Sequence, residues 1–155
     1  MSYALRDHTA DVAVEATAPT LAALFEAVAD GLTAASCEAV PEAGDRFEFT
    51  VTAESREALL FDYLDQLIYE RDVRLVLPAD HRCAVSEPDD AGSDDDAGSD
   101  DDAGSDDGAT WTAEATARGV PLDAVAAREI KAVTYSEMTL ERRDGEWYAY
   151  VVFDV

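Results

Sequence analysis

An α+β fold in a single domain is what this sequence predicts, with a mixed, mostly antiparallel sheet covered by two main helices. Three observations carry it. Two stretches repeat apolar residues at the helical period, several others alternate at the period of a strand, and a two-residue Asp144-Gly145 turn joins the last two strands. A chain of 155 residues that is 48% hydrophobic can bury one core, which fits one domain over residues 1–155.

The chain opens with two short strands, at 2–6 and 12–18, flanking an acidic loop; in the second, Val12, Val14 and Ala16 alternate with Ala13, Glu15 and Thr17. Pro19-Thr20 opens a helix whose Leu21, Leu24, Phe25, Val28 and Leu32 share one stripe, with Gly31 a weak helix former in its last turns. Residues 46–54 alternate again, with Phe47, Phe49 and Val51 inward and Glu48, Thr50 and Thr52 toward water. Ser55 caps the second helix, which carries Glu57 in its first turn and Leu59, Leu60, Tyr63, Leu64, Leu67 and Ile68 as its core stripe. Short strands are expected near 73–77 and 82–87, then at 110–118. A helical turn follows Pro121, and a long strand at 129–141 leads to the hairpin and the final strand. That last strand stays apolar to Val155, where most chains fray, so it should be paired in the sheet.

Asp and Glu number 35 against 11 basic residues, a net charge of −24, and ten of the bases are arginine, Lys131 being the lone lysine. This is the composition expected of a cytoplasmic protein from a salt-accumulating halophile, where carboxylates hold water and hydrated cations. In dilute buffer such charge argues strongly against nucleic-acid binding. At molar salt the Debye length falls to about 3 Å, and only short-range contacts decide. The same charge predicts loosening on desalting, through self-repulsion. No apolar run is long enough to span a membrane, and the first residues lack the basic-then-apolar pattern of an export signal. Cys37 and Cys83 form no disulfide framework and read as buried thiols.

Residues 91–108 are three tandem hexads, AGSDDD, AGSDDD and AGSDDG. From Glu87 to Gly108 there are eleven acidic residues and no basic one, too little apolar surface to offset the entropy of ordering. The stretch at about 88–108 reads as a disordered acidic insertion between two strands. It lacks the spacing of an EF-hand calcium loop.

Chemistry concentrates at the two chain ends. Asp7, His8, Thr9 and Asp11 place oxygen ligands and one imidazole within five residues, and a paired final strand would hold Asp154 and the Val155 carboxylate in fixed positions. If the two ends meet, several carboxylates converge, and like charges that close call for a cation. A hard divalent ion, calcium or magnesium, suits an all-oxygen set, whereas His8 and the cysteines lack transition-metal spacing. Asp7 and Thr9 serve equally well as turn formers bonding their own backbone, and His8 as a structural hydrogen-bonder. His81 lies in a connection and carries no argument. A second cluster, Arg128 to Met138, read as a strand, sets Lys131, Val133, Tyr135 and Glu137 on one face. Lys131 there is either a wanted point charge or a chance survivor.

Together, DHTADVAVEA at 7–16, REIKAVTYSEM at 128–138 and the terminal YVVFDV at 150–155 closely resemble the archease family, and LLFDYLDQLIYERD at 59–72 fits as well. The likeness spans the chain apart from the 88–108 insertion. It implies a small α+β protein that activates the RtcB-type tRNA-splicing ligase, an enzyme that uses GTP and manganese. The family role is to promote guanylylation of the ligase and allow multiple turnover, the archease itself catalysing nothing. The resemblance further implies a calcium-type site on Asp11, Asp154 and Val155; Asp7, His8 and Lys131, from their own positions in the sequence, read as partner-facing or supporting. It implies the ligase as partner, with neither direct nucleic-acid binding nor membrane. Most members carry T-Y-H where this chain has Thr134-Tyr135-Ser136, so no role is carried to the side chain at 136. Two other readings are a metal-dependent hydrolase or nuclease using the same carboxylates, which lacks an evident base or nucleophile, and an RNA-binding chaperone, which lacks a basic stripe with interleaved aromatics.

Overall fold

The structure, a computed structural model, describes residues 2–7, 11–88 and 110–155, with the backbone alone for residues 2 and 4–7. The elements run β1 (Ser2–Asp7), β2 (Asp11–Ala18), α1 (Leu21–Ser36), β3 (Asp45–Ala53), α2 (Arg56–Arg74), β4 (Val76–Ser86), β5 (Trp111–Pro121), a 3-10 turn (Leu122–Ala124), β6 (Ala132–Arg143) and β7 (Glu146–Asp154). The α+β class is as expected. In place of one mixed sheet, the strands form two sheets, ordered β1-β2-β7-β6 and β3-β5-β4. Every ladder among the described residues is antiparallel. Alternation along a strand reveals which face is wet but not which strand lies alongside, so the division into sheets left no trace in the sequence.

Both helices start where their caps dictate. The Thr20 and Ser55 side chains accept the backbone N–H groups of Ala23 and Ala58, each at 3.1 Å. α2 runs nearly two turns past Ile68 to Arg74 and stops at Leu75, whose φ of 58° is left-handed. Residues 73 and 74, expected in a strand, thus belong to the helix, and the two strands expected near 73–77 and 82–87 are one strand with an irregularity between Ala79 and Arg82. α1 packs on β2 and β4, α2 on β3 and β6, so each helix touches both sheets. Between them lies one core containing Val12, Val14, Phe25, Val28, Leu60, Tyr63, Leu64, Val151 and Phe153.

Gly31 has a packing reason. A Cβ there would lie 2.5 Å from Val14 Cγ1, because α1 crosses directly over β2 at this point. α1 also secures the outer edge of β4. Glu26 accepts the Cys83 N–H at 2.8 Å, Asp30 accepts a backbone hydrogen bond from His81, and Thr33 Oγ1 donates to the Pro78 carbonyl at 2.8 Å. At the N-terminal end of α2, the Arg56 guanidinium sits 5.8 Å from the Trp111 ring and 5.1 Å from the Trp147 ring, joining the two sheets.

β6 begins later and ends later than the 129–141 expected. Between Thr134 and Thr139 its register against β7 slips, with Glu137 at a φ of 60°. The expected alternation therefore fails: Val133 is buried, whereas Tyr135 stands 57% exposed. A left-handed glutamate carries no sequence signal of the kind glycine gives. Among the described residues no helix is long and apolar enough to cross a membrane.

Candidate functional site

One end of the larger sheet gathers the beginning and the end of the chain. β2 starts at Asp11 and β7, the strand beside it, ends at Asp154; the register sets these two residues directly opposite each other. Asp154 also faces Ala132 across the β6 ladder, and the Lys131 N–H donates to the Asp154 carbonyl at 2.8 Å. The Asp7 backbone closes β1 opposite Val12, one residue from Asp11. Two strand ends and two strand starts thus converge, because the final strand is apolar enough to run between two neighbours right to its last residues.

Directly opposed residues of an antiparallel pair share a face, with Cβ atoms about 4.5–5.5 Å apart. Val12 and Phe153, next along each strand, point into the core, so Asp11 and Asp154 occupy the outer face. Asp11 is half-buried and Asp154 exposed, while Val155 is half-buried and packs on the core. Like charges directly opposed destabilise a sheet. A hard cation fits the donor set, which is carboxylate oxygen from Asp11 and Asp154 with the Val155 terminus adjoining. No three Asp, Glu, His or Cys side chains among the described residues group as metal ligands. An ion here would therefore complete its six to eight oxygens from the terminus, backbone or water.

The remaining sequence-predicted residues divide. Lys131 is exposed and precedes β6 instead of lying within it, so its membership of a Lys131-Val133-Tyr135-Glu137 face does not hold. Its backbone, however, is tied to Asp154. His8 and Thr9 lie outside the described residues, as does 89–109, which holds nearly all of the acidic insertion. Ser136 sits in the irregular part of β6, its N–H donating to Thr134 Oγ1 at 3.1 Å.

The sequence passed over the polar cluster between α1 and β4. His81 is a strand residue, 6% exposed, with Nε2 2.7 Å from Thr33 Oγ1. Burial pushes its pKa down to about 3, keeping the ring neutral. Burial pushes the neighbouring Asp30 up to about 6, aided by the Glu26 charge and opposed by the hydrogen bond from His81. Burial likewise lifts the Cys83 thiol to about 12, which makes it inert. The residue four before His81 is buried Leu77, and no spacing in the sequence marks either polar group.

The sequence profile of the Archease protein family (MTH1598/TM1083) matches residues 3–155. The chain is 28% identical to the protein archease of Pyrococcus furiosus over 96% of this chain and 95% of that one. It is 29% identical to the protein archease of Thermococcus gammatolerans over the same shares. Its fold is that of Methanobacterium thermoautotrophicum protein 1598, with a TM-score of 0.71 at 24% identity, covering 99% of this chain and 98% of the other. A Thermotoga maritima archease, described as a possible chaperone, superposes with a TM-score of 0.59 at 20% identity, covering 97% and 94%. A match across nearly the whole length, joined to relatives whose own lengths are nearly all covered, places this chain in the archease family.

Proposed function

We propose that this archease activates an RtcB-type RNA ligase, promoting its guanylylation and so its multiple turnover in tRNA splicing, and that it catalyses nothing itself. The observation that carries the reading is the direct pairing of Asp11 with Asp154 inside a chain matched to the family from residue 3 to 155. Asp11, Asp154 and the Val155 carboxylate would hold a divalent cation, calcium before others. Bound there, the ion supplies positive charge that relieves the repulsion between opposed carboxylates. The chain's own residues do the rest. β7 carries Asp154 to the sheet end between β2 and β6, and the Lys131 N–H fixes its carbonyl. The result is a rigid acidic edge. Activation follows if that edge binds the guanylylation-competent state of the ligase better than its other states.

The test is a ligation assay with limiting ligase in molar KCl. Wild-type protein is expected to turn a stalled, single-turnover reaction into a catalytic one, and Asp11→Ala and Asp154→Ala to leave it stalled. Full multiple turnover with both variants would rule out the site.

A further inference from the structure

Helix α2 shows an unusual outward face. Phe61, Asp65, Tyr69 and Val73 recur every fourth residue and so form one stripe. Tyr69 and Val73 are 57% and 59% exposed, and Leu75 just beyond the helix is 66% exposed. At the other end of the stripe, Tyr135 stacks on Phe61 with ring centres 4.1 Å apart and planes 2° from parallel, yet keeps its outer side in water. Past the C-terminal end of α2 lies a groove of about 320 Å³ whose apolar lining is Leu75, Leu122, Val125 and Ala127. Four of the five large apolar side chains left exposed among the described residues fall on this one surface. On a chain of net charge −24, such a gathering of exposed apolar side chains along one helix, interrupted only by Asp65, marks an interaction site.

Charge decides the occupant. Asp65 lies within the stripe and Asp62 beside it, and Asp72 and Glu129 line the groove. The nearby arginines are already engaged: Arg71 with Asp72 and Glu129, Arg74 with Glu70 and over the Phe47 ring. A second copy of the chain would set these carboxylates against themselves in a two-fold interface. Nucleic acid and anionic lipid carry the wrong sign. A protein surface with lysine or arginine around an apolar knob fits both features.

We propose that the outward face of α2 docks a basic protein surface, with an apolar side chain seated in the groove and cationic groups on Asp62, Asp65 and Asp72. Taking that protein to be the RNA ligase rests on the function proposed above. The geometry links the two surfaces. The Val125–Glu129 segment that walls the groove continues to Lys131, whose N–H bonds Asp154. A partner held on α2 therefore lies beside the acidic sheet end, so that one surface holds the partner and the other acts on it.

The test separates holding from acting. Tyr69→Ala combined with Asp65→Lys changes two exposed positions, and a melting curve checks that the fold is intact. Ligase binding is titrated in molar KCl. The doubly substituted protein is expected to bind at least tenfold more weakly, yet to support wild-type turnover once saturating. Asp154→Ala should show the other pattern, failing to activate even when saturating while the α2 face still holds it on the ligase. Equal ligase affinity for wild type and the doubly substituted protein overturns the docking face and leaves the ligase reading standing. Absence of any ligase binding by wild type overturns both. A wild-type dimer that the substitutions dissolve also overturns the proposal, since the occupant is then a second copy.

Discussion

Replacing Gly31 with alanine pits two effects against each other. In an exposed helix the change is favourable, since alanine is better there by about 0.8–1.0 kcal/mol. Here the new methyl carbon lies 2.5 Å from Val14 Cγ1 and 3.2 Å from Val14 Cγ2. Val14 is fully buried and β-branched, so it cannot swing aside without leaving its rotamer. Overpacking of that kind costs about 1–3 kcal/mol. The difference is a net loss of roughly 1 kcal/mol, equivalent to a fall in Tm of about 2–4 °C for a chain of this size. Urea unfolding in molar KCl, with an unchanged m value, would measure it. The decisive control is Val14→Ala, which removes the clashing methyls. In that background Gly31→Ala should turn from destabilising to stabilising. A stabilised single variant, or an equal cost in both backgrounds, would refute the argument that helix and strand meet too closely for a side chain.

Asp30→Asn should raise stability at pH 7 while steepening the loss on acidification. Asp30, with its pKa raised to about 6, makes stability fall as pH rises from the unfolded value of 3.8, whereas His81, lowered to about 3 from 6.5, makes stability rise over nearly the same window. The two slopes oppose each other, and melting curves from pH 4 to 7 would show the His81 slope unmasked in the variant. Calcium at about a hundredfold excess over its Kd should stabilise the wild type by about 2.7 kcal/mol and Asp11→Ala or Asp154→Ala far less, as read from the Tm. Arg56→Ala should cost about 1–2 kcal/mol from two aromatic contacts and shift the tryptophan emission, since Trp111 and Trp147 both flank its guanidinium.

The sequence revealed what periodicity and punctuation can reveal. The helix starts at Thr20 and Ser55, the Asp144-Gly145 hairpin and the buried stripe of α2 were all legible, because caps, turns and apolar spacing are local properties. The meeting of Asp11 with Asp154 was suggested by an unusually apolar chain end, and the register sets them opposite. What stayed hidden depends on contacts distant in sequence. The irregularity of β6 around Glu137 reversed the exposure expected of Tyr135, and the stack on Phe61 belongs to a helix more than seventy residues earlier. His81 looked like a connector because a polar residue after Pro78-Ala79-Asp80 resembles a turn, yet α1 covers it. The exposed row on α2 was present in the letters but eclipsed by the stronger buried row.

The bonds that α1 sends to β4 have a consequence for self-association. β4 lies at the rim of its sheet, and a bare rim offers N–H and C=O groups on which another molecule's strand can add. Glu26, Asp30 and Thr33 occupy three of those groups, at Cys83, His81 and Pro78, and Pro78 has no N–H to offer. Side chains of a helix thus take the place of a missing fourth strand. Between Pro78 and Cys83 the rim is closed to runaway pairing without another stretch of polypeptide to cover it.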